Sequence, residues 1–431
     1  MKYYSLNRKA PDTSFANAVI KGLAPDRGLY FPETITPLPA SFFEAIASKS
    51  YNEIAFEAIK QFVTPEIPEP VLKTIIEETL SFDFPVIKLN EHISTLELFH
   101  GPTMAFKDVG ARFMARCLGY FNQNNDKDVT VLVATSGDTG GAVANGFLGV
   151  KGVNVVILYP SGKVSDIQEK QLTTLGQNIT ALEVDGVFDD CQDMVKKAFL
   201  DESITSKMQL TSANSINVAR WLPQLFYFMF AYKQLHQQHD SIVFSIPSGN
   251  FGNICAGMVA QQLGLPIKHF IAANNANNVV TEYLKTEHYN PKPSVQTISN
   301  AMDVGNPSNF IRIQEIYKND FKQLKSNLSS FSYSDAETKA ALLEIYERYN
   351  YVADPHGAVG YLGCKEYLKT HENTHCVFLE TAHPTKFLDV VEEVIQTKVD
   401  LPPQIEAVMD KTKVATKIST YEDLKVFLLN S

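Results

Sequence analysis

The 431-residue chain has few cysteines and no long apolar run. Its five cysteines are widely scattered and include no C-x-x-C pair. This pattern predicts reduced thiols and argues against both a disulfide framework and a zinc site. The richest apolar stretch, residues 221–232, is interrupted by Pro223 and Gln224 and is shorter than the roughly 18 residues that a membrane span needs. We therefore expect no bound metal and no membrane-spanning segment.

Positive charge is also scarce. The chain has 38 basic and 48 acidic residues, which gives a net charge of −10 at pH 7. Because clustered lysine and arginine drive binding to nucleic-acid backbones, this balance argues against a nucleic-acid partner, although a few convergent basic residues could still bind a small anion. Residues 1–5 lack the apolar core of a signal peptide and the arginine-rich character of a transit peptide, which predicts a cytoplasmic protein.

Two nucleotide-binding patterns, G-x-x-x-x-G-K-(S/T) and G-x-G-x-x-G, are absent as well. The chain has instead three short segments that suit pyridoxal phosphate: residues 100–108 with Lys107, residues 135–140 and residues 248–253. That cofactor requires an amine that bonds to its aldehyde, backbone N–H groups that hold its phosphate, and neutral or acidic groups around its ring. One lysine and two glycine-rich turns therefore predict a pyridoxal-phosphate site.

From residue 128 onward, strand patterns alternate with helical ones. The sequence predicts strands at residues 129–134, 153–158 and 179–184, and helices at 141–148, 166–175, 188–200 and 217–235. Alternation at this spacing indicates a parallel sheet with helices on both faces. A second such unit is predicted from a strand at 242–246, a helix at 253–263, a capped helix after Ser334 and a strand at 375–380. The predicted fold is α/β, with two doubly wound α/β domains and an additional N-terminal domain.

The predicted domain boundaries divide the chain into four parts. Residues 1–85 form the N-terminal domain, and residues 86–240 form a smaller α/β domain with Lys107 and the 136–140 loop. Residues 241–400 form a larger α/β domain that carries the phosphate loop, and residues 401–431 form a tail on the surface. Residues 274–309 are rich in asparagine and proline and have little periodicity, so we expect a long functional loop there.

Lys107 is the candidate nucleophile. It precedes an amphipathic run, so it is predicted to lie at a helix N-terminus, where the positive end of the helix dipole disfavours the protonated amine. Most lysines are simply solvated surface residues, and Lys107 taken alone fits that description too. The apolar residues beside it and the two glycine-rich turns favour the nucleophile.

The two glycine-rich turns are each predicted between a strand and a helix. In residues 248–253 this arrangement lets successive N–H groups and a helix dipole bind a phosphate, although an ordinary strand-to-helix turn has the same pattern. The turn at residues 135–140 carries Asp138 and several hydroxyl groups. It could hold a carboxylate on its N–H groups and hydroxyl oxygens while Asp138 faces the cofactor ring.

A second anion site is predicted from scattered cations, hydroxyls and amides. The candidates are Lys163, Ser165, Asn214, Arg220 and Arg112. We expect Arg112 to lie one helical turn past Lys107. Each of these residues taken singly is more often a solvated or structural group.

The sequence also resembles the threonine synthase family, within the fold-type-II group of pyridoxal-phosphate enzymes. The resemblance lies in six segments that occur in order: HGPTMAFKDVGARFMAR, ATSGDTGGA, YPSGKVSDIQEKQ, SANSINVAR, SIPSGNFGN and ETAHPTKF. It implies a lyase of threonine biosynthesis that converts O-phospho-L-homoserine and water to L-threonine and phosphate. It is also compatible with a monomer or a homodimer.

The resemblance implies a role for each matching residue. Lys107 would bond to the cofactor, Thr381 would hydrogen-bond its pyridine nitrogen, and Asp138 would lie near its 3′-hydroxyl. The backbone N–H groups that would hold the cofactor phosphate belong to Gly249, Asn250, Phe251, Gly252 and Asn253. The residues that would bind the substrate carboxylate are Ser136, Gly137 and Thr139. The residues that would bind the substrate phosphate are Arg112, Lys163, Ser165, Asn214 and Arg220.

Three alternatives stay open at this point. A threonine or serine dehydratase of the same fold would not need a second phosphate site, so four residues count against it: Lys163, Ser165, Arg112 and Arg220. A lyase that ends at 2-oxobutyrate and phosphate is barely separable from a synthase by motifs. A non-catalytic relative used as a binding module would have no physical need to keep Lys107 together with both glycine loops.

Overall fold

A computed structural model describes residues 1–123 and 128–430 of the chain. Its strands are β1 (Tyr3–Ser5), β2 (Tyr30–Pro32), β3 (Val86–Lys88), β4 (Ile93–Glu97), β5 (Val129–Ala134), β6 (Val153–Pro160), β7 (Ile179–Val184), β8 (Gln209–Thr211), β9 (Ile242–Pro247), β10 (His269–Asn274), β11 (Leu328–Ser332), β12 (His375–Glu380) and β13 (Thr416–Ile418). They form a two-stranded, a six-stranded and a five-stranded sheet.

Helices surround these sheets. They are α1 (Phe15–Lys21), α2 (Ala40–Glu44), α3 (Tyr51–Val63), α4 (Glu69–Thr79), α5 (Lys107–Asn122), α6 (Asp138–Phe147), α7 (Asp166–Thr173), α8 (Phe188–Leu200), α9 (Glu202–Thr205), α10 (Val218–Trp221), α11 (Leu225–Leu235), α12 (Gly252–Gln262), α13 (Val279–Thr286), α14 (Phe310–Ile316), α15 (Phe321–Asn327), α16 (Asp335–Tyr349), α17 (Pro355–Leu368), α18 (Leu388–Ile395), α19 (Pro403–Met409) and α20 (Tyr421–Asn430). Within the described ranges, no helix combines the length and the apolar character that crossing a bilayer requires.

The six-stranded sheet has the order β11-β10-β9-β12-β4-β3. Its pairs are parallel except for the β3–β4 pair, which is antiparallel. Strands β9, β10 and β12 are buried along their whole length, and α17 packs across all three. Parallel strands that are covered on both faces read as continuous apolar runs, which is why the sequence predicts this unit well.

The five-stranded sheet has the order β13-β7-β6-β5-β8, and every pair in it is parallel. Its central strands β5 and β6 are almost entirely buried. The alternation predicted from residue 128 onward is therefore confirmed, and so is the α/β fold, with one parallel sheet and one that is parallel except for the β3–β4 pair.

The N-terminal residues form a separate helical unit with the β1–β2 ribbon. Helix α3 begins at a capping box in which Ser50 and Glu53 satisfy each other's backbone N–H groups, and it buries an apolar face with Ile59 and Phe62. The ring of Phe31 in β2 stacks on Trp221, with 6.1 Å between the centroids. Because Trp221 is fully buried, this contact fixes the N-terminal unit against the start of the α10–α11 region.

Strand pairing crosses two of the predicted domain boundaries. Strands β3 and β4 come from the predicted smaller domain but pair within the six-stranded sheet, beside β12. Strand β13 and helix α20 come from the predicted surface tail, yet β13 extends the five-stranded sheet and α20 packs on α8. Both differences arise from pairing between distant segments, which local patterns do not report.

Two local predictions were wrong. The region at 274–309 is not a continuous loop, because it contains α13 and a 3₁₀ turn at Asn300–Met302. The helix predicted at 217–235 is divided into α10, a 3₁₀ turn at Leu222–Gln224 and α11. Pro223 explains the second difference, since proline lacks the N–H that a continuous helix would use there.

Candidate active site

A cleft of about 1800 Å³ lies where the carboxyl ends of strands from both large sheets meet. Segments that follow β5, β6, β9 and β12 line it. The carboxyl ends of parallel strands are the usual place for a ligand in an open α/β sheet, because helix N-termini converge there. The three motif segments found in the sequence all reach this cleft.

Lys107 is the first residue of α5, as predicted, and its side chain is 15% exposed. The preceding residue, Phe106, donates its N–H to Thr381 O at 2.9 Å, and Ala105 forms a bridge with Ala382. The Tyr227 hydroxyl donates to the carbonyl of Phe106. Backbone pairing therefore holds Lys107 next to the end of β12, where Thr381 also lines the cleft.

Asp138 lies between two lysines. Its Oδ2 is 3.6 Å from the Nζ of Lys107, and its Oδ1 is 2.7 Å from the Nζ of Lys386. The Gln168 amide also donates to Oδ1, at 3.0 Å. Asp138 is the first residue of α6, so its carboxylate also faces the positive end of that helix.

These contacts govern the charge state of the pair. Burial lowers the pKa of Lys107; the Asp138 carboxylate opposes this effect, and the Lys386 ammonium adds to it. Burial acts to raise the pKa of Asp138, but the ammonium groups of Lys386 and Lys107 hold that pKa well below its usual range. At neutral pH the site therefore contains an ionised carboxylate beside an amine that loses its proton more readily than an ordinary lysine.

The glycine loop at residues 248–253 connects β9 to α12. Phe251 adopts a left-handed conformation with φ of 62°, and residues 249–253 line the cleft. A Cβ on Gly249 would come within 2.9 Å of both Ala301 O and Met302 Cα, so no larger residue fits there without movement. The first N–H groups of a helix have no intrahelical acceptor, and an anion beside the start of α12 would satisfy those that the chain itself does not, as Asn253 Oδ1 does for the N–H of Ile254.

The second glycine turn is held by one hydroxyl. Thr135 Oγ1 accepts from the N–H of Gly137 at 3.0 Å and from that of Gly140 at 2.8 Å. Gly137 has φ of 139°, and a Cβ there would lie 2.6 Å from the side chain of Gln168. Ser136 and Thr139, on either side of this glycine, line the cleft.

Three of the residues predicted for the second anion line the cleft: Lys163, Asn214 and Arg220. Arg220 is 2% exposed and donates to the carbonyl of Ala213. Burial lowers its pKa to about 10, which still leaves it charged at neutral pH. Arg220 Nε and Asn214 Oδ1 are buried and have no hydrogen-bond partner among residues 1–123 and 128–430. A bound anion would satisfy the Nε–H donor of Arg220, whereas Asn214 Oδ1 is an acceptor and would need a donor from the ligand.

The structure places three other predicted residues outside the lining of the cleft. Arg112 donates to Glu78 O and, at 3.0 Å, to Ser81 Oγ, and so contacts the N-terminal unit. Residue 112 is five residues past Lys107, which turns its side chain about 140° around the helix, so it is not stacked one turn above Lys107. Ser165 is the N-cap of α7 and accepts from Gln168 N, and Gly137 packs against Gln168.

Two further residues at the site were not predicted from the sequence. Lys386 is buried beside Asp138, and His356 lines the cleft and accepts the N–H of Ala301 at 3.2 Å. Lys386 lies in the ETAHPTKF segment, and a lysine just after a buried strand end was the one available signal. His356 follows Asp354-Pro355 at the start of α17, a pattern typical of ordinary helix starts.

The residues present fit pyridoxal phosphate. The cleft contains a nearly buried amine, a glycine loop without room for a side chain at Gly249, and the neutral hydroxyl of Thr381. These are the three kinds of group that the cofactor requires. Arg220, whose Nε–H has no partner, is among the residues that line the same cleft, so a second anion is accommodated as well.

Comparison with protein families gives three matches along the chain. The pyridoxal-phosphate dependent enzyme family matches residues 88–381, the threonine synthase N terminus matches residues 2–80, and the threonine synthase C-terminal family matches residues 357–427. Together, the matched residues include both glycine-rich turns, Lys107, strand β13 and part of helix α20.

Individual relatives agree with these matches. The threonine synthase of Buchnera aphidicola subsp. Acyrthosiphon pisum is 42% identical, and the alignment covers 100% of both chains. The crystal structure of threonine synthase from Escherichia coli matches with a TM-score of 0.93 and 39% identity over 100% of both chains. The pyridoxal-phosphate-bound threonine synthase from Brucella melitensis matches with a TM-score of 0.93 and 33% identity, covering 100% of this chain and 99% of that one.

Proposed function

This chain belongs to the threonine synthase family of pyridoxal-phosphate-dependent enzymes, and we propose on that basis the residues that perform its reaction. The reaction converts O-phospho-L-homoserine and water to L-threonine and phosphate, and the cofactor is pyridoxal phosphate. The observation that carries the assignment of residues is the Lys107–Asp138 contact of 3.6 Å in a cleft that the 249–253 loop also lines.

Lys107 is assigned as the residue that bonds to the cofactor and then moves protons. When bound, pyridoxal phosphate withdraws electrons from the substrate, which makes its α- and then its β-hydrogens acidic. As a neutral amine, Lys107 Nζ would take the proton from Cα and then one from Cβ, and it would supply protons to Cγ and back to Cα as the product forms. The lowered pKa of Lys107, caused first by burial, supports this assignment because a base must be unprotonated when it acts.

The cofactor is held at two ends by different elements. The N–H groups of residues 249–253 and the dipole of α12 would bind its phosphate. The hydroxyl of Thr381 would hydrogen-bond to its pyridine nitrogen, and Asp138 would lie near its 3′-hydroxyl. Because the Thr381 hydroxyl carries no charge, the pyridine nitrogen would be protonated to a smaller extent than it would be beside a carboxylate. This limits delocalisation into the ring and favours elimination and replacement over transamination.

The substrate carries two anions, and the cleft offers a place for each. The hydroxyls of Ser136 and Thr139, with the N–H groups of their turn, bind the α-carboxylate. Lys163, Asn214 and Arg220 bind the phosphate and stabilise its charge as it leaves Cγ. The buried, unpartnered Nε–H of Arg220 supports this assignment, and it is the amide N–H groups of Asn214 that would donate to the phosphate. Arg112 and Ser165 are left out of the set, since their side chains are engaged elsewhere.

The same proposal extends to the class of enzyme, its compartment, its assembly and its partners. We assign it to the fold-type-II lyases that act in the cytoplasm, as a monomer or homodimer that binds no nucleic acid. Its five cysteines are all buried and unpaired, which suits a reducing compartment. The net charge of −10 is unfavourable for binding a phosphate backbone.

The assignment is tested by incubating the purified holoenzyme with O-phospho-L-homoserine and measuring threonine, 2-oxobutyrate and phosphate together. We expect threonine and phosphate in equal amounts, and 2-oxobutyrate with phosphate would instead indicate a lyase without the replacement step. Lys107→Ala is expected to lose at least about 10³-fold in turnover and to carry no cofactor after borohydride reduction. Lys151→Ala, a change at an exposed turn, serves as the matched control. Cofactor trapped covalently on Lys107→Ala would refute the role of Lys107.

A further inference from the structure

Lys386 is a buried cation that the roles assigned above do not use. It lies in the 3₁₀ turn Pro384–Phe387, just after β12, and its side chain is completely buried. Its Nζ donates to Thr103 O at 2.7 Å and contacts Asp138 Oδ1 at 2.7 Å. Because a fully buried lysine is rare unless it is paired, this position is built around the carboxylate of Asp138.

The carboxylate of Asp138 is shared unequally between the two lysines. Lys386 holds Oδ1 at the distance of a charge-assisted hydrogen bond, and the Gln168 amide adds a second donor to the same oxygen. Lys107 is 3.6 Å from Oδ2, which is longer than such a bond. The strong ion pair of this site is therefore the one with Lys386, and Lys107 is left with the weaker contact.

We propose that Lys386 is a positioning residue for Lys107: it neutralises Asp138 and fixes its rotamer, so that Lys107 is not locked into a tight ion pair. The proposal rests on the assignment of Lys107 as the residue that bonds to the cofactor. Without Lys386, the lone buried carboxylate would draw the amine of Lys107 to itself and hold its proton. Lys386 thus acts through Asp138 rather than on the substrate.

The charges around the pair agree with this role. Burial is the main cause that lowers the pKa of Lys107, and the positive charges of Lys386 and Arg220 lower it further. Asp108 lies close by in α5, but its carboxylate is occupied by the N–H and the hydroxyl of Thr103. Burial lowers the pKa of His383 to about 4, so His383 is neutral at pH 7 and adds no charge.

The test is a pH titration of the visible absorbance of the lysine-bound cofactor in the holoenzyme. Lys386→Gln removes the positive charge but keeps donors for both Asp138 and Thr103. We expect its titration midpoint to rise by about one pH unit or more, the usual effect of a newly unbalanced charge at close range. Lys386→Arg keeps the charge and is expected to titrate near the wild-type midpoint.

The double variant Asp138→Asn/Lys386→Gln removes both charges and separates this role from a general structural one. Its midpoint is expected to return to within about half a unit of wild type, since no lone carboxylate remains near Lys107. An unchanged midpoint in Lys386→Gln would overturn the proposal, and so would equal shifts in Lys386→Gln and Lys386→Arg.

A second comparison, of Asp138→Asn with the double variant, does not use the single variant Lys386→Gln. It therefore tests the proposal even if Lys386→Gln alone fails to fold. Because Lys386 acts through Asp138, removing the cation in that background is expected to raise the midpoint by less than the roughly one pH unit expected in the wild-type background, and an equally large rise in the Asp138→Asn background would overturn the proposal. If borohydride trapping showed that the wild-type cofactor is bound elsewhere than Lys107, the assignment of Lys107 itself would fail. The two failures are thereby distinguishable.

Discussion

Lys163 and Arg112 are two cations that the sequence places in one group and the structure separates. Lys163 is exposed at the cleft, whereas the guanidinium of Arg112 is bonded to Glu78 O and Ser81 Oγ. A cation that binds the leaving phosphate should affect substrate kinetics, and one that joins two parts of the fold should affect stability. Substituting Lys163 therefore tests the role in substrate binding, and substituting Arg112 serves as its control.

We expect Lys163→Met to lower kcat/KM for O-phospho-L-homoserine by about tenfold or more, because a hydrogen bond to a charged group contributes about 1.5–3 kcal/mol. Its thermal stability should stay near wild type. Arg112→Met should leave kcat/KM within about twofold and lower the melting temperature, since it loses contacts to the N-terminal unit. Steady-state kinetics and thermal unfolding of both variants check this, and the reverse pattern would return Arg112 to the substrate site.

Motifs predict the position of a residue best where one segment of the chain contains both the residue and the element that holds it. Lys107, Asp138 and Thr381 each follow or begin an element whose pattern is visible in the sequence, and all three line the cleft. Arg112 was misplaced because a five-residue spacing turns a side chain away from the first residue. The burial of Lys386 could not be predicted, since it depends on a carboxylate 248 positions earlier in the chain, Asp138.

The turn between β9 and α12 depends on glycine at residue 249. In Gly249→Ala the new methyl group would meet Ala301 O and Met302 Cα at 2.9 Å, and the turn would have to move. We expect at least a roughly tenfold weaker affinity for pyridoxal phosphate, equivalent to about 1.4 kcal/mol. Equilibrium titration of the apoenzyme with cofactor measures this loss.

Gly141→Ala is the matched control for Gly249→Ala. Gly141 lies inside α6, and a Cβ there would meet Gln171 at an ordinary distance of 3.5 Å. Because alanine is the better helix former by about 1 kcal/mol, the control should keep cofactor affinity without losing stability. Equal weakening in both variants would contradict the steric account of the phosphate loop.

Strand β12 contains a neutral buried histidine that makes the fold sensitive to acid. His375 Nε2 pairs with Ser94 Oγ at 2.9 Å and Nδ1 with Glu91 O at 3.2 Å, which suits the neutral ring. Burial, with His239 nearby, lowers its pKa from 6.5 to about 4. The unfolded chain then takes up a proton as the pH falls below about 6.5, while the folded chain does not until about pH 4.

Stability should therefore be lost as the pH falls from about 6.5 to about 4 and be unaffected by His375 above this window. At pH 5 the loss due to His375 is roughly 2 kcal/mol, from 1.36 kcal/mol per pKa unit. We expect His375→Gln to lose that much less than wild type between pH 7 and pH 5 in urea unfolding. Equal losses in the two proteins would contradict a depressed pKa at this position.

The sequence predicts elements best where they are buried on both faces. Strands β5, β7 and β12 have the predicted bounds because each is a short apolar run. Strand β11 was missed because its sequence, LSSFS, is mostly polar and it lies at the edge of its sheet. Helix α13 was missed because it lies in a segment rich in asparagine and proline, where loop signals dominate.

In both large sheets, strands that lie far apart in the sequence pair with each other. Strand β4 pairs with β12 almost 300 residues later in the sequence, and the C-terminal β13 completes the five-stranded sheet. Sequence patterns identify such strands but not their partners. For this reason, strand pairing across the predicted boundaries could not be anticipated from local patterns.

The C-terminal helix α20 should contribute to the stability of the five-stranded unit. Leu424 is fully buried in a cluster with residues of β5, β7 and α8, whereas Val426 is 57% exposed. We expect Leu424→Ala to cost about 2–5 kcal/mol of unfolding free energy and Val426→Ala to change it by less than about 0.5 kcal/mol. Denaturant unfolding of the two variants tests this, and equal effects would indicate a loosely attached tail.

The central claim is that one cleft eliminates phosphate from Cγ and adds water at Cβ, and running the reaction in ¹⁸O-labelled water tests it most directly. Mass spectrometry of the products is expected to find one labelled oxygen in the hydroxyl group of threonine and none in the phosphate. Labelled phosphate without labelled threonine would mean cleavage of the phosphorus–oxygen bond. That result would contradict both the replacement reaction and the roles given to Lys107 and the phosphate-binding residues.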